Sequence, residues 1–142
     1  MNKKEKILMV EDSQSLAAIY ASYLSSQHVD LLIVDNLQTA REEWIRTQPD
    51  LVLLDVELPD GNGLDLLKDR PREENEADVV VMTAYGSAEA SVDAMNLGAV
   101  DYLSKPFDAD RLKVTVTNAL KNRALQEAVD KYSAFDRKKY CD

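Results

Sequence analysis

Cysteine is nearly absent from the 142 residues: Cys141 stands alone, which excludes an internal disulfide and any cysteine-built metal cage and suits a reducing cytoplasm. Histidine is as scarce, with His28 the sole imidazole. No apolar run approaches the roughly 20 residues of a membrane span, and Met1-Asn2-Lys3-Lys4 leads straight into a short strand-like segment. Positive charge is in deficit. Against 26 Asp and Glu stand 17 Lys and Arg, for a net charge of −9, so the bulk surface disfavours a phosphate backbone as partner. Repeats and low-complexity tracts are missing, and no glycine-rich phosphate loop follows Val10. These exclusions leave one acidic domain with no membrane contact.

Four short apolar runs, Ile7 to Val10, Leu31 to Val34, Leu51 to Leu54 and Val79 to Met82, are bounded by acidic or turn-forming residues and read as strands buried on both faces. A fifth is predicted around Tyr102 and Leu103, after Gly98, which stands where a helix ends in a left-handed residue. Between them apolar residues recur at helical spacing: Leu16, Ile19, Tyr20, Tyr23 and Leu24 after a Ser13 cap; Leu37, Ala40 and Trp44 after Asn36; Leu64 and Leu67 ahead of Pro71; Ala88, Val92 and Met95 on a fourth helix. The last helix is predicted to begin after Asp108, to carry Leu112, Val116 and Leu120, and to run on through Leu125 and Ala128 towards Tyr132. Strand and helix alternate with short connections, which predicts right-handed crossovers and a doubly wound α/β sheet. Residues 1–120 form the domain and 121–142 extend its last helix as the start of a linker. The extension has six Lys or Arg and four Asp or Glu, so the acidity belongs to the globular part. Arg70 to Asp78 is a charged connection, expected to be the least ordered one inside the domain.

Open α/β sheets bind ligands outside the carboxyl ends of their strands, so the residues that finish each strand matter most. The first run exits into Glu11-Asp12, the third into Asp55, the fourth into Thr83 and the fifth into Lys105-Pro106. One acid at a strand end is ordinarily a cap or a solvated loop residue. Three carboxylates gathered at one edge repel one another unless a cation sits among them. An oxygen donor set without histidine or cysteine points to Mg2+ or Mn2+, and Mg2+ leaves positions for phosphate oxygens. The natural chemistry is phosphoryl transfer, with a carboxylate as nucleophile and a metal and lysine neutralising the transferring group. Asp55 is the candidate acceptor.

Glu11-Asp12, Asp55-Val56-Glu57-Leu58-Pro59-Asp60-Gly61-Asn62-Gly63, Met82-Thr83-Ala84 and Tyr102-Leu103-Ser104-Lys105-Pro106-Phe107 follow one another in a known order and spacing. Over residues 5–120 the chain resembles the receiver domain of two-component response regulators. The resemblance implies a flavodoxin-like (βα)5 sheet ordered 2-1-3-4-5, with the first and third strand ends side by side. It implies that Asp55 takes a phosphoryl group from a phosphohistidine of a sensor histidine kinase or a histidine phosphotransfer protein. Mg2+ would then be held by Glu11, Asp12, Asp55 and the backbone carbonyl of Glu57. Lys105 and Thr83 would sense the phosphoryl group, Tyr102 would move as the switch, and Pro59, Gly63 and Pro106 would set the loop geometry, with a cis Lys105-Pro106 bond. Two positions depart from the commonest pattern: Glu11 stands where Asp is more usual, and Glu57 is not neutral. Glu57 and Tyr85 are expected to tune the lifetime of the acyl phosphate.

Thr83-Ala84-Tyr85-Gly86-Ser87, with Asp101 to Phe107, is similar to the nitrogen-regulation class, whose receivers precede an ATPase that activates sigma-54 polymerase. Val10-Glu11-Asp12-Ser13 through Tyr23-Leu24, and Ala109 to Val116, resemble quorum-sensing phosphorelay members of that class. Neither a Walker phosphate loop nor a helix-turn-helix follows, so the chain reads as a receiver fragment or a stand-alone phosphorelay shuttle; the long last helix favours the fragment. The resemblance implies a cytoplasmic non-enzyme, DNA contact only through an effector domain outside this chain, and a homodimer through the last helices, where Leu125, Ala128, Val129 and Tyr132 form a broken apolar stripe. The rival reading is a haloacid-dehalogenase-like phosphatase, suggested by Asp55-Val56-Glu57. That family places its nucleophile after the first strand, whereas here the acidic pair precedes Asp55. No role is assigned to His28 at a surface turn, to Trp44 on an apolar helix face, to the Cys141 thiol or to Arg137-Lys138-Lys139.

Overall fold

Side chains alternate across each strand, and in this chain both resulting faces are apolar. The computed structural model describes residues 4–70, 76–84 and 88–140. Its elements are β1 (Glu5–Val10), α1 (Gln14–Leu24), β2 (Val29–Val34), α2 (Leu37–Thr47), β3 (Leu51–Asp55), β4 (Glu57–Leu58), β5 (Gly61–Asn62), α3 (Gly63–Lys68), β6 (Asp78–Thr83), α4 (Ala88–Asn96), β7 (Asp101–Ser104) and α5 (Ala109–Tyr140). Five parallel strands pair in the order β2-β1-β3-β6-β7. With the small β4–β5 hairpin set aside, this is the predicted 2-1-3-4-5 order. Among the described residues no helix is long and apolar enough to cross a membrane.

Leu8, Val10, Val52, Leu54, Val79 and Val81 face α2, α3 and α4, where they meet Trp44, Leu66, Leu67 and Ala94. The intervening Ile7, Met9, Leu51, Leu53, Val80 and Met82 face α1 and α5, where they meet Tyr20, Leu24, Leu112 and Val116. Each fully buried Leu, Ile or Val contributes about 1.5–3 kcal/mol relative to exposure. Ser13 and Asn36 cap α1 and α2 as expected, accepting from the Leu16 and Thr39 amides at 3.3 and 2.8 Å. Gly98 has φ +98°, and the Arg70 guanidinium lies where its side chain would be, donating to the Leu97 carbonyl at 2.9 Å.

Three expectations need correction, on β2, α1 and α4, while α3 carries Leu64 and Leu67 as expected and adds Leu66 to the core. Strand β2 is the sheet edge, so only Val34 of it is buried and Ile33 is 38% exposed. Helix α1 packs through Ala17, Tyr20 and Leu24 while Ile19 faces out. Helix α3 buries Leu66 beside Leu67, leaves Leu64 half-buried, and stops at Lys68, ahead of Pro71. Helix α4 turns Ala94 to the core, while Val92 and Met95 are 55% and 46% exposed. Ala94, wholly buried in the core cluster, marks the side that is turned inward. Pro71 to Asn75, most of the charged connection, lie outside the described residues, as do Tyr85 and Cys141.

The reversed face of α4 is testable by substitution. Ala94→Leu overpacks a filled interior and costs about 1–3 kcal/mol, whereas Val92→Ser changes stability by no more than about 0.5 kcal/mol. Urea unfolding midpoints compare the two.

Candidate functional site

Strands β1, β3, β6 and β7 end along one edge of the sheet, and register brings their last residues together. Val10 pairs with Leu54, Asp55 with Met82, and Thr83 with Ser104. Backbone bonds carry this alignment past the strand ends: Glu11 N–H donates to the Val34 carbonyl at 2.9 Å, Val56 N–H to Met82 at 3.1 Å and Lys105 N–H to Thr83 at 2.8 Å. Glu11, Asp12 and Asp55 thereby converge, each offering a carboxylate oxygen within 4.8 Å of the others. Glu11, Asp55 and Thr83 are buried, and Asp12 is exposed.

Lys105 enters this cluster from the β7 end. Its Nζ donates to Glu11 Oε1 at 2.5 Å and to Asp55 Oδ2 at 3.0 Å. The following peptide, Lys105-Pro106, is cis as expected, and the Phe107 ring stacks on Tyr20 of α1 with centroids 4.5 Å apart. The other oxygen of Asp55, Oδ1, accepts from the Glu57 amide at 3.2 Å. Gly63 closes the loop behind Asp55: its amide donates to the Val56 carbonyl at 2.7 Å, and a Cβ there would collide with the Asp55 carbonyl. Glycine is therefore required by close approach. Pro59 lies in the exposed turn of the β4–β5 hairpin, and the Glu57 side chain is exposed.

Electrostatics at this edge are unbalanced. Burial, and then the neighbouring Asp55, push the Glu11 carboxyl up to about 7 despite Lys105. Burial alone would lower the Lys105 ammonium, but its bonds to Glu11 and Asp55 outweigh that and raise it. One lysine faces three carboxylates, and Glu11 Oε2 is buried without a hydrogen-bond partner. A buried acceptor left unmade is costly, and an oxygen-seeking cation satisfies it. The residues present therefore fit Mg2+, which takes carboxylate and carbonyl oxygens.

Two residues of this loop escaped sequence reasoning. Asp60 accepts from the amides of Leu37 and Gln38 at 2.8 and 3.2 Å, which holds its carboxyl below the usual range. Asn62 caps α3 by accepting from Leu64 at 2.9 Å. The Asp-Gly and Asn-Gly pairs were a turn signal. Tyr102, the expected switch, is 37% exposed on β7. Among the discounted residues Trp44 is buried and His28 lies exposed between α1 and β2.

The family model of the response regulator receiver domain matches residues 7–117. The regulatory protein LuxO of Vibrio cholerae is 46% identical over 123 residues, covering 86% of this chain and 27% of that protein. A crystal structure of the signal receiver domain of a protein described as a Luxo repressor from Vibrio parahaemolyticus superposes with TM-score 0.85 at 36% identity, over 89% of this chain and 98% of that one. NtrX of Brucella abortus superposes with TM-score 0.84 at 30% identity, over 92% of this chain and 30% of that one.

The folded chain holds the Glu11 proton more firmly than the unfolded chain, whose ordinary value is 4.5. This group therefore lowers metal-free stability as pH rises from that value through about 7. Mg2+ needs the carboxylate, so its stabilisation runs the opposite way. Thermal melts should show a larger Mg2+-induced rise at about pH 8 than at about pH 6, and in Glu11→Gln a flatter pH profile without metal.

Proposed function

This chain belongs to the response regulator receiver domain family, and on that footing we propose that Asp55 is its phosphoacceptor, with Glu11, Asp12, Asp55 and the Glu57 carbonyl holding Mg2+. The observation that carries the reading is the half-buried Lys105 ammonium bonded to both Glu11 and Asp55 at the carboxyl edge of the sheet. Bound Mg2+ supplies charge neutralisation for the transferring group and its attacking oxygen. An Asp55 oxygen forms a bond to phosphorus while the P–N bond of a phosphohistidine breaks; the electron pair leaves with the imidazole nitrogen, which then takes up a proton. Lys105 moves from Asp55 to a phosphoryl oxygen, and the Thr83 hydroxyl donates to another. Glu57, exposed beside Asp55, governs water access to the acyl phosphate and so its lifetime; Tyr85, assigned the same role from the sequence, lies outside the described residues. Pro59, Gly63 and Pro106 hold the two loops that carry these groups.

The phosphoryl donor is a histidine kinase or a histidine phosphotransfer protein, and the chain takes one phosphoryl group rather than turning over substrate. Drawing Thr83 towards the phosphoryl group lets Tyr102 leave its exposed position, which shifts β6, β7 and their helices between two packings. The kinship to regulators such as LuxO and NtrX favours this over the phosphatase reading and supports a cytoplasmic transcriptional output, exerted on DNA through a separate effector domain. Residues 1–120 act as the receiver and 121–142 as the start of the linker. Along that extension Leu125, Ala128, Val129 and Tyr132 are exposed, and this stripe pairs weakly with a second copy.

With a small-molecule phosphodonor and Mg2+, intact mass should show one phosphoryl group on the wild-type chain and none on Asp55→Asn; chelating the metal should slow labelling roughly hundredfold. Thr83→Ala should still be labelled, while the fluorescence of a Tyr102→Trp reporter no longer responds to phosphorylation in that background. Sedimentation should detect concentration-dependent dimers that Val129→Glu abolishes; monomers throughout, with and without a phosphoryl mimic, would exclude the pairing.

A further inference from the structure

Asp60 lies at the tip of the β4–β5 hairpin, where Glu57 pairs with Asn62 and Leu58 with Gly61. Two pairs of residues make a ribbon too short to hold itself together in water. Something outside it must fix the tip. The first amides of a helix have no intrahelical acceptor, and the local cap of α2, Asn36, takes only the Thr39 amide with its side chain. Asp60 takes the two amides that remain ahead of it, Leu37 through Oδ1 and Gln38 through Oδ2. Ala40 and Trp44 seat α2 in the core, so the far end of this tie is anchored there. The near end is the hairpin whose Glu57 amide bonds Asp55.

We infer that Asp60 is a positioning residue for metal binding: its carboxylate straps the hairpin to the N-terminus of α2 and so fixes the Glu57 backbone against Asp55. The inference rests on the assignment of Glu57 as a carbonyl ligand proposed above. An ordinary helix cap acts on its own helix, whereas this one joins segments 22 and 23 residues apart. The strap therefore stiffens the loop as well as the helix. Charge on both oxygens matters, because an amide side chain offers a single acceptor where the carboxylate offers two.

Asp60→Ala and Asp60→Asn test this. Calorimetric titration should give a Mg2+ dissociation constant about tenfold weaker in Asp60→Ala, the scale typical of lost support around a metal ligand, with Asp60→Asn between it and the wild type. In the metal-free protein the Glu57 and Leu58 amides should exchange hydrogen faster, in the same order. Unchanged Mg2+ affinity and unchanged exchange at these amides in both variants would overturn the inference, even if the melting temperature falls, since that pattern belongs to a helix cap alone. Should Asp60→Ala not fold, Asp60→Asn decides by the same two readings. Neither measurement uses phosphoryl transfer, so failure here is separate from failure of Asp55 to accept phosphate.

Discussion

Everything at the working edge of this protein depends on one ammonium group among three carboxylates. Lys105 reaches Glu11 and Asp55 at once, yet leaves an oxygen of Glu11 buried and unpartnered. A fully paired cluster would be inert, and a cluster without the lysine would repel itself apart. The intermediate state, short of one positive charge, leaves a buried acceptor that a divalent cation would satisfy.

The sheet makes that imbalance possible. Four strands deliver their terminal residues to a single line, and continuous apolar packing on both faces keeps the line rigid enough to bury charge. Because β1 sits between β2 and β3, the acidic pair and Asp55 emerge from neighbouring strands. Their mutual distance is set by strand spacing rather than by flexible loops. Phe107 against Tyr20 does the same for the lysine, tying the turn after β7 to α1.

Much of this was legible because strands buried on both faces write themselves as unbroken apolar runs, and because each run ends in a residue that has no business in a core. The edge strand β2 was overrated, since its run of Leu31 to Val34 carries the same composition as the interior strands but gains no second neighbour. The face of α4 was misread for a different reason. Val92 and Met95 are more apolar than Ala94, yet Ala94 is the residue that reaches the core, so apolarity alone did not choose the side. Asp60 was invisible because its partners are backbone amides more than twenty residues away, and amides have no letter in the sequence. That Lys105 meets Asp55 is what the receiver resemblance implies; that Glu11 shares the same ammonium follows from side-chain geometry that no single letter carries.

Helix α5 starts four residues after Lys105 and continues unbroken to Tyr140, a rod of about 48 Å. Arg123 pins it partway along, donating to the Glu76 carbonyl at 2.7 Å and lying 3.7 Å from Asp50, which directly precedes the strand ending in Asp55. The rod thus has a fulcrum at the opposite end of β3 from Asp55. Past that fulcrum about 25 Å of helix projects, so a tilt of about 10° sweeps its end by roughly 4 Å. Leverage of this kind converts a rearrangement the size of one side chain into a displacement on the scale of a helical turn.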